Sequence, residues 1–232
     1  PADGATGGWV AVYSIGGELQ WSGVTTPTSS DDGAASVSVA GSATTPSSVF
    51  VCGNVASTNS SVHLRTAIHS MRPAQDSTLG GSATIDSRGR YFRLAPSGSV
   101  AVATAGQSSH VFVASLDANQ GSVQWTTWVA VEASGTSCAS IIATTDASVL
   151  VAGNIADSSA RKLLATGAVD VDLDFAGAAT GWTLSMAGES GEASSLVALG
   201  TGTAHGIALD HDGAVVVADF GNHRVTRWTP GA

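Results

Sequence analysis

The stretch GIALDHDGAVVVADFGNHRVTRW, residues 206–228, decides how this chain is read. It places Asp210, His211, Asp212, Asp219 and His223 within a short span, with His205 just before it. A metal centre would need three or four of these side chains to converge on one point. The spacing argues against that. Asp210 to Gly213 has the composition of a β-turn, where Asp and Gly tolerate left-handed backbone and Asp bonds its own main chain. Asp219, Asn222, His223 and Arg224 form a second corner after the apolar run AVVVA. An extended strand at about 3.3 Å per residue puts the two corners roughly 25–30 Å apart. The stretch therefore reads as two corners joined by a buried strand, with its Asp and His residues in architectural roles.

The same grammar runs through the rest of the chain. Short runs rich in Val, Ile, Phe and Ala end at Gly, Asn, Asp or Ser, as in WVAVYSI (9–15), SVFVCGN (48–54), HVFVASLD (110–117) and SVLVAGN (148–154). No segment sustains a 3.6-residue period, so long helices are not expected. Several runs recur in order. SVFVCGNVAS (48–57) parallels SVLVAGNIAD (148–157), and GWVAVYSIGGELQW (8–21) parallels HVFVASLDANQGSVQW (110–125). A looser pair is 102–116 with 185–199. Recurrence at long, uneven spacing points to tandem β units with variable inserts. One unit assembles as an inner strand near 33–40 or 137–145, a strand ending in Gly-Asn, an insert, a third strand such as 111–117, and an outer strand carrying Trp125 and Trp128. Four antiparallel strands in that order make a propeller blade, whose strands are apolar on both faces because blades stack. The expected fold is all-β: a single propeller over 1–232, with four or five blades. Pairing of the strand at 224–228 with those at 9–21 would close the ring.

The 206–228 stretch resembles the NHL repeat, with its strand, Asp-Gly turn, strand and AD-x-GN-H-R corner. FVASLDANQGSVQW and SIIATTDASVLVAGN resemble bacterial SBBP-type propeller repeats, and GAVDVDLDFAGA (167–178) is similar to the VDFDPG inserts of some such proteins. The resemblance implies a propeller. It also implies that Asp210, Asp212, Gly213, Asp219, Asn222, His223 and Arg224 hold the blade corner together. It implies no single function, because propellers host many.

Composition narrows the classes. The chain has 232 residues, 43% of them hydrophobic, with a mean hydropathy of +0.21. Only 12% are charged and the formal net charge is -9. The lone lysine is Lys162, and the arginines are scattered apart from Arg88, Arg90 and Arg93. A nucleic acid needs a basic face to displace its counterions, so neither DNA nor RNA is expected as a partner. No apolar run approaches the 18–20 residues of a membrane-spanning helix. A first residue of Pro rather than Met reads as a processed chain or an excerpt. Cys52 and Cys138 match no zinc or redox spacing. They read either as two buried thiols or as one disulfide, which would contribute about 4 kcal/mol in a chain-entropy model. Asn59-Ser60-Ser61 is an N-glycosylation triplet. With the scarcity of Lys and the abundance of Ser and Thr, these features suggest an extracellular or cell-surface protein.

The remaining candidates are few. Asp170, Asp172 and Asp174 fall on one face of a strictly alternating strand. They invite calcium, but the EF-hand pattern requires Gly and Glu where Phe175 and Gly181 stand. A solvated acidic face that blocks edge association fits better. No Gly-x-Ser-x-Gly elbow occurs, and Glu189 and Glu192 sit on a Gly-rich loop. No cofactor motif is present. Of the six tryptophans (9, 21, 125, 128, 182 and 228), most should pack between blades, leaving Trp128 and Trp182 as candidate aromatics for a ligand or partner. The preferred function is a non-catalytic module presenting loops and faces to protein or glycan partners, able to self-assemble in a surface layer or filament. A carbohydrate-binding lectin is the first alternative, and a propeller lyase or glycoside hydrolase the second.

Overall fold

The computed structural model describes residues 9–14, 16–26, 33–41, 46–55, 61–70, 83–85, 91–94, 98–101, 110–131, 135–144, 148–156, 162–166, 171–175, 180–200 and 202–228. These form strands arranged in four antiparallel sheets. The fold is all-β and propeller-like.

The third sheet shows the unit without additions. Strands β11 (Thr136–Ala143), β12 (Ser148–Ile155), β15 (Gly181–Ala187) and β16 (Ala193–Ala198) pair in that order. The second sheet repeats it with β3 (Gly33–Gly41), β4 (Pro46–Val55), β9 (His110–Asp117) and β10 (Val123–Val131). The fourth has β17 (Ala204–Leu209), β18 (Val215–Asp219) and β19 (Arg224–Trp228). The first contains β1 (Trp9–Tyr13) and β2 (Leu19–Thr26), which match β9 and β10. The inner strands share one irregularity. Register skips a residue after Ala34 in β3, after Cys138 in β11 and after Ala204 in β17. The β9–β10 and β15–β16 hairpins share a turn with positive φ at Gly121 and Gly191, and the β1–β2 turn, one residue shorter, also ends in a positive-φ glycine, Gly17. The shared turn corrects the looser sequence parallel: 185–199 corresponds to 115–129 rather than to 102–116.

Both faces of β4 and β12, the second strands of the middle sheets, are covered. In β12, Val149 and Val151 pack toward the second sheet, while Leu150 and Ala152 pack toward Val215 and Val217 of the fourth. In β4, Phe50 and Cys52 join the cluster shared with the third sheet, while Val49 and Val51 pack with Trp21 of the first. Two-sided burial explains why these strands read as continuous apolar runs instead of alternating.

The inserts are strands that pair backwards. The chain between β4 and β9 contains β5 (Ser61–Ser70), which adds to the outer edge of β2. It also contains β6 (Ala83–Ile85) and β7 (Tyr91–Leu94), which pair as a hairpin, and β8 (Gly98–Ala101). The chain between β12 and β15 contains β13 (Lys162–Thr166), which adds to the outer edge of β10, and β14 (Val171–Asp174), which pairs with β13. Each insert thus extends the sheet preceding its own. The expected pairing of 224–228 with the N-terminal strands is not found among the described residues. The corner after β18 folds β19 back onto β18, and β5 takes the outer edge of β2.

Candidate functional site

Polar side chains tie each sheet to the next, and they recur in register. Asn54 ends β4, and its Oδ1 accepts the Cys138 N–H of β11 at 2.7 Å. Asn154 ends β12; its Oδ1 accepts the Ala204 N–H of β17 at 2.7 Å, and its Nδ2 donates to the Ala204 carbonyl at 2.9 Å. Trp21 Nε1 donates to the Ala118 carbonyl at 2.8 Å, and Trp125 Nε1 donates to the Gly188 carbonyl at 2.7 Å. Ala118 and Gly188 are the same position of successive outer hairpins. The hydroxyls of Ser36 and Ser38 accept the N–H groups of Ile141 and Ala143 at 3.3 and 2.9 Å. Beside the first Asn clamp, a disulfide joins Cys52 to Cys138 with a Cα–Cα distance of 6.2 Å. The disulfide is one of the two readings the cysteines allowed, and tryptophans were expected between blades, but the asparagine and serine ties were not anticipated. Their one sequence signal was the alignment of Asn54 with Asn154 at the end of an apolar run with no turn role of its own.

The tryptophans expected to serve ligands are placed otherwise. Trp182 is 0% exposed, lies over Gly153, where a Cβ would enter its ring, and donates to Thr136 Oγ1 at 3.0 Å. Trp128 is 3% exposed and packs near Phe112. Neither offers a face to a sugar or partner. The cause is the two-sided burial of blade strands. The Trp128 Nε1 has no acceptor among the described residues.

At the opening stretch, the two corners lie at opposite ends of β18, as expected, but nearer than the roughly 25–30 Å of a fully extended run. β18 has five residues, so Val215 to Asp219 spans about 13 Å at about 3.3 Å per step. In the first corner, Asp210 Oδ1 accepts the N–H groups of Asp212 and Ala214, both at 2.9 Å, and Gly213 has φ +77°. Asp210, His211 and Asp212 come close enough to share an ion. The Arg227 guanidinium already bridges the two carboxylates, at 2.6 Å to Asp210 and 3.3 Å to Asp212. Its hydrogen bond holds the Asp210 carboxyl below the usual range, against a smaller opposing effect of desolvation. A cation would have to displace that arginine.

The second corner is built around a buried carboxylate. Asp219 is 2% exposed. It accepts from the Asn222 N–H at 3.3 Å, Asn222 Nδ2 at 2.9 Å and Arg224 Nε at 2.9 Å. Burial pushes its pKa up, but these donors outweigh burial and hold it below the ordinary value. Residues 220–222 make one 3-10 turn that His223 ends in the left-handed region, φ 51°. A side chain at Gly202 would overlap the Asp219 carboxylate. The corner is fully employed in holding its own shape.

On the acidic strand, Asp172 and Asp174 lie in β14 opposite Leu164 and Lys162, and Asp174 is exposed. Asp170 and the Asn59 triplet lie outside the described residues. One surface feature was unforeseen. Phe220 is 64% exposed, with the His205 ring 4.8 Å and the His223 ring 6.0 Å away. With Ala218, Arg224 and Val225 they line an open groove of about 370 Å³. His205 reaches it because it is the extra residue at the bulge of β17.

No curated protein and no solved structure matches the chain. Residues 201–228 match the family model described as NHL repeat. The last sheet is therefore an NHL-type unit within an all-β, propeller-like array.

Proposed function

We propose that this chain is a non-catalytic extracellular module, a stiff scaffold that presents loops and sheet faces to protein or glycan partners and assembles with its own kind in a surface layer or filament. The observation that carries the reading is the disulfide between Cys52 and Cys138, which locks two sheets together. Such bonds persist in oxidising compartments outside the cytosol. The Asn and Trp ties across the same boundaries support it, since they hold neighbouring sheets in fixed relation.

The test is alkylation of the denatured protein taken directly from its producing cells. Blocked cysteines, linked in a non-reducing peptide map, are expected. Two free thiols would overturn the extracellular placement. Native mass spectrometry of the same material tests assembly, and a monodisperse monomer without glycan counts against a layer or filament.

A second reading, glycan binding, rests on the exposed Phe220 between two imidazoles, since aromatic faces stack on sugars. A glycan array that is silent, or signals unchanged by Phe220→Ala, would remove it.

A further inference from the structure

The inner strands β3, β11 and β17 occupy equivalent places, and register aligns their residues. Val37, Ile141 and Ile207 stand opposite Val51, Val151 and Val217. Val39, Ala143 and Leu209 stand opposite Val49, Val149 and Val215. These positions face the preceding sheet. Ile141 is 4% exposed, packed in the cluster that includes Phe50 and Cys52 of the second sheet. Ile207 and Leu209 pack beside Leu150 and Ala152 of the third. Val37 and Val39 are 52% and 55% exposed.

The reason lies in the first sheet. β1 and β2 match the third and outer strands of the other units, and they cover Val49 and Val51. Among the described residues no strand lies inside β1. In the second sheet β9 pairs with β4 over eight residues, and in the third β15 pairs with β12 over seven. The equivalent edge of β1 has no partner among the described residues. An open strand edge thus runs beside two uncovered valines, in the outline of a two-stranded unit.

We propose that this place accepts an antiparallel β-hairpin built on this repeat's own pattern. The second strand of the hairpin pairs with β1 as β4 pairs with β9 and β12 with β15. Apolar side chains of the hairpin cover Val37 and Val39, as Phe50 and its neighbours cover Ile141. By the same register, an Asn closing the second strand reaches the backbone N–H of Ala34, the counterpart of Cys138 and Ala204. The partner is therefore a hairpin with this repeat's own pattern: apolar on both faces, with Asn at its end. The inference extends the scaffold reading but stands on register alone.

The probe is a synthetic peptide of residues 136–155 carrying Cys138→Ser, titrated into the full chain by calorimetry and followed by hydrogen exchange. One-to-one binding is expected, with exchange at Val10–Tyr13 slowed at least tenfold. Val37→Asp and Val39→Asp are expected to weaken binding tenfold or more, as is Asn154→Ala in the peptide. Val225→Asp, on the last sheet, should change nothing. Absence of binding, binding indifferent to the Val37 and Val39 changes, or unprotected β1 amides would each overturn the proposal. None of these would touch the scaffold reading, which rests on the disulfide.

Discussion

The two inter-sheet boundaries tied by asparagine differ in one covalent detail, and that difference can be removed. Between the second and third sheets, Cys52 and Cys138 are bonded. Between the third and fourth, register puts Ala152 and Ala204 in the same two places. Both are buried, at 0% and 1% exposure, and the Asn-to-N–H distance is 2.7 Å at both boundaries. The clamp fixes the local spacing of the strands, and the Cα–Cα distance of 6.2 Å at the native bond lies in the range disulfides use. Ala152→Cys with Ala204→Cys should therefore oxidise to a second bond without backbone movement. The loop it closes has a separation of 52 residues, 204 minus 152, worth about 4 kcal/mol of chain entropy. At about 2–4 °C per kcal/mol for a chain of this size, the melting temperature should rise by about 8–16 °C. The assay is a non-reducing peptide map for the 152–204 link, followed by calorimetry against the oxidised wild type. Reductant is no control, because it also opens the native bond. Two alkylatable thiols after oxidation of the folded protein would refute the equivalence of the boundaries. A bond that forms but lowers the melting temperature would refute the claim that the geometry is already in place.

Other perturbations read the same architecture. Trp128→Phe should be tolerated better than Trp182→Phe in chemical denaturation, by about 1 kcal/mol. The first change deletes an N–H that has no acceptor among the described residues, and the second breaks a bond to Thr136. Asn154→Ala should cost about 1–3 kcal/mol, because it leaves the Ala204 N–H and carbonyl unpaired, and hydrogen exchange should show β17 opening first. Gly153→Ala should destabilise by about 3 kcal/mol or more in the same denaturation series, since the new methyl meets the Trp182 ring and the backbone of Ser137. The last corner should resist acid. Asp219 has a folded pKa below its unfolded value of 3.8, so its contribution is present above that value and is lost as pH falls through the lower folded one. Tryptophan fluorescence and β18 amide exchange should hold steady down to about pH 4, and loss of corner structure near pH 6 would contradict the donor set drawn around Asp219.

The sequence and the structure agree where the information is local. Strand positions, the outer hairpins and the two corners of 206–228 were legible because turn chemistry and apolar runs act over a few residues. The separation of Asp210 from Asp219 followed from strand length alone, though a five-residue strand made it shorter than expected. What was not legible is non-local. β13 pairs with β10 across more than thirty residues, and β5 pairs with β2 across a comparable gap; no composition signal marks a strand for the preceding sheet. Asn54 and Asn154 looked like strand-ending punctuation, yet each acts on a strand about fifty to eighty residues onward. Trp182 looked like a spare aromatic because nothing local showed that Gly153 leaves room for its ring. Phe220 was passed over for the opposite reason, since a Phe after an apolar run reads as buried, and the 3-10 turn instead turns it outward.

The backward pairing of the inserts bears on how the chain is made. β5 belongs to the loop between β4 and β9, yet it finishes the sheet begun by β1 and β2. β13 does the same for β10. The first and second sheets therefore stay incomplete until part of the next unit has been synthesised, and construction overlaps like courses of roof tiles laid from the N-terminus. The fourth sheet sends nothing back, because only a 3-10 turn separates β18 from β19. Among the described residues the outer edge of β16 thus receives no tile, and that strand is short and carries exposed Ser194 and Ser195. During synthesis the waiting edges of β2 and β10 are the places where two nascent chains would most readily exchange strands. Crowded expression should accordingly yield dimers swapped at the inserts rather than at the last sheet.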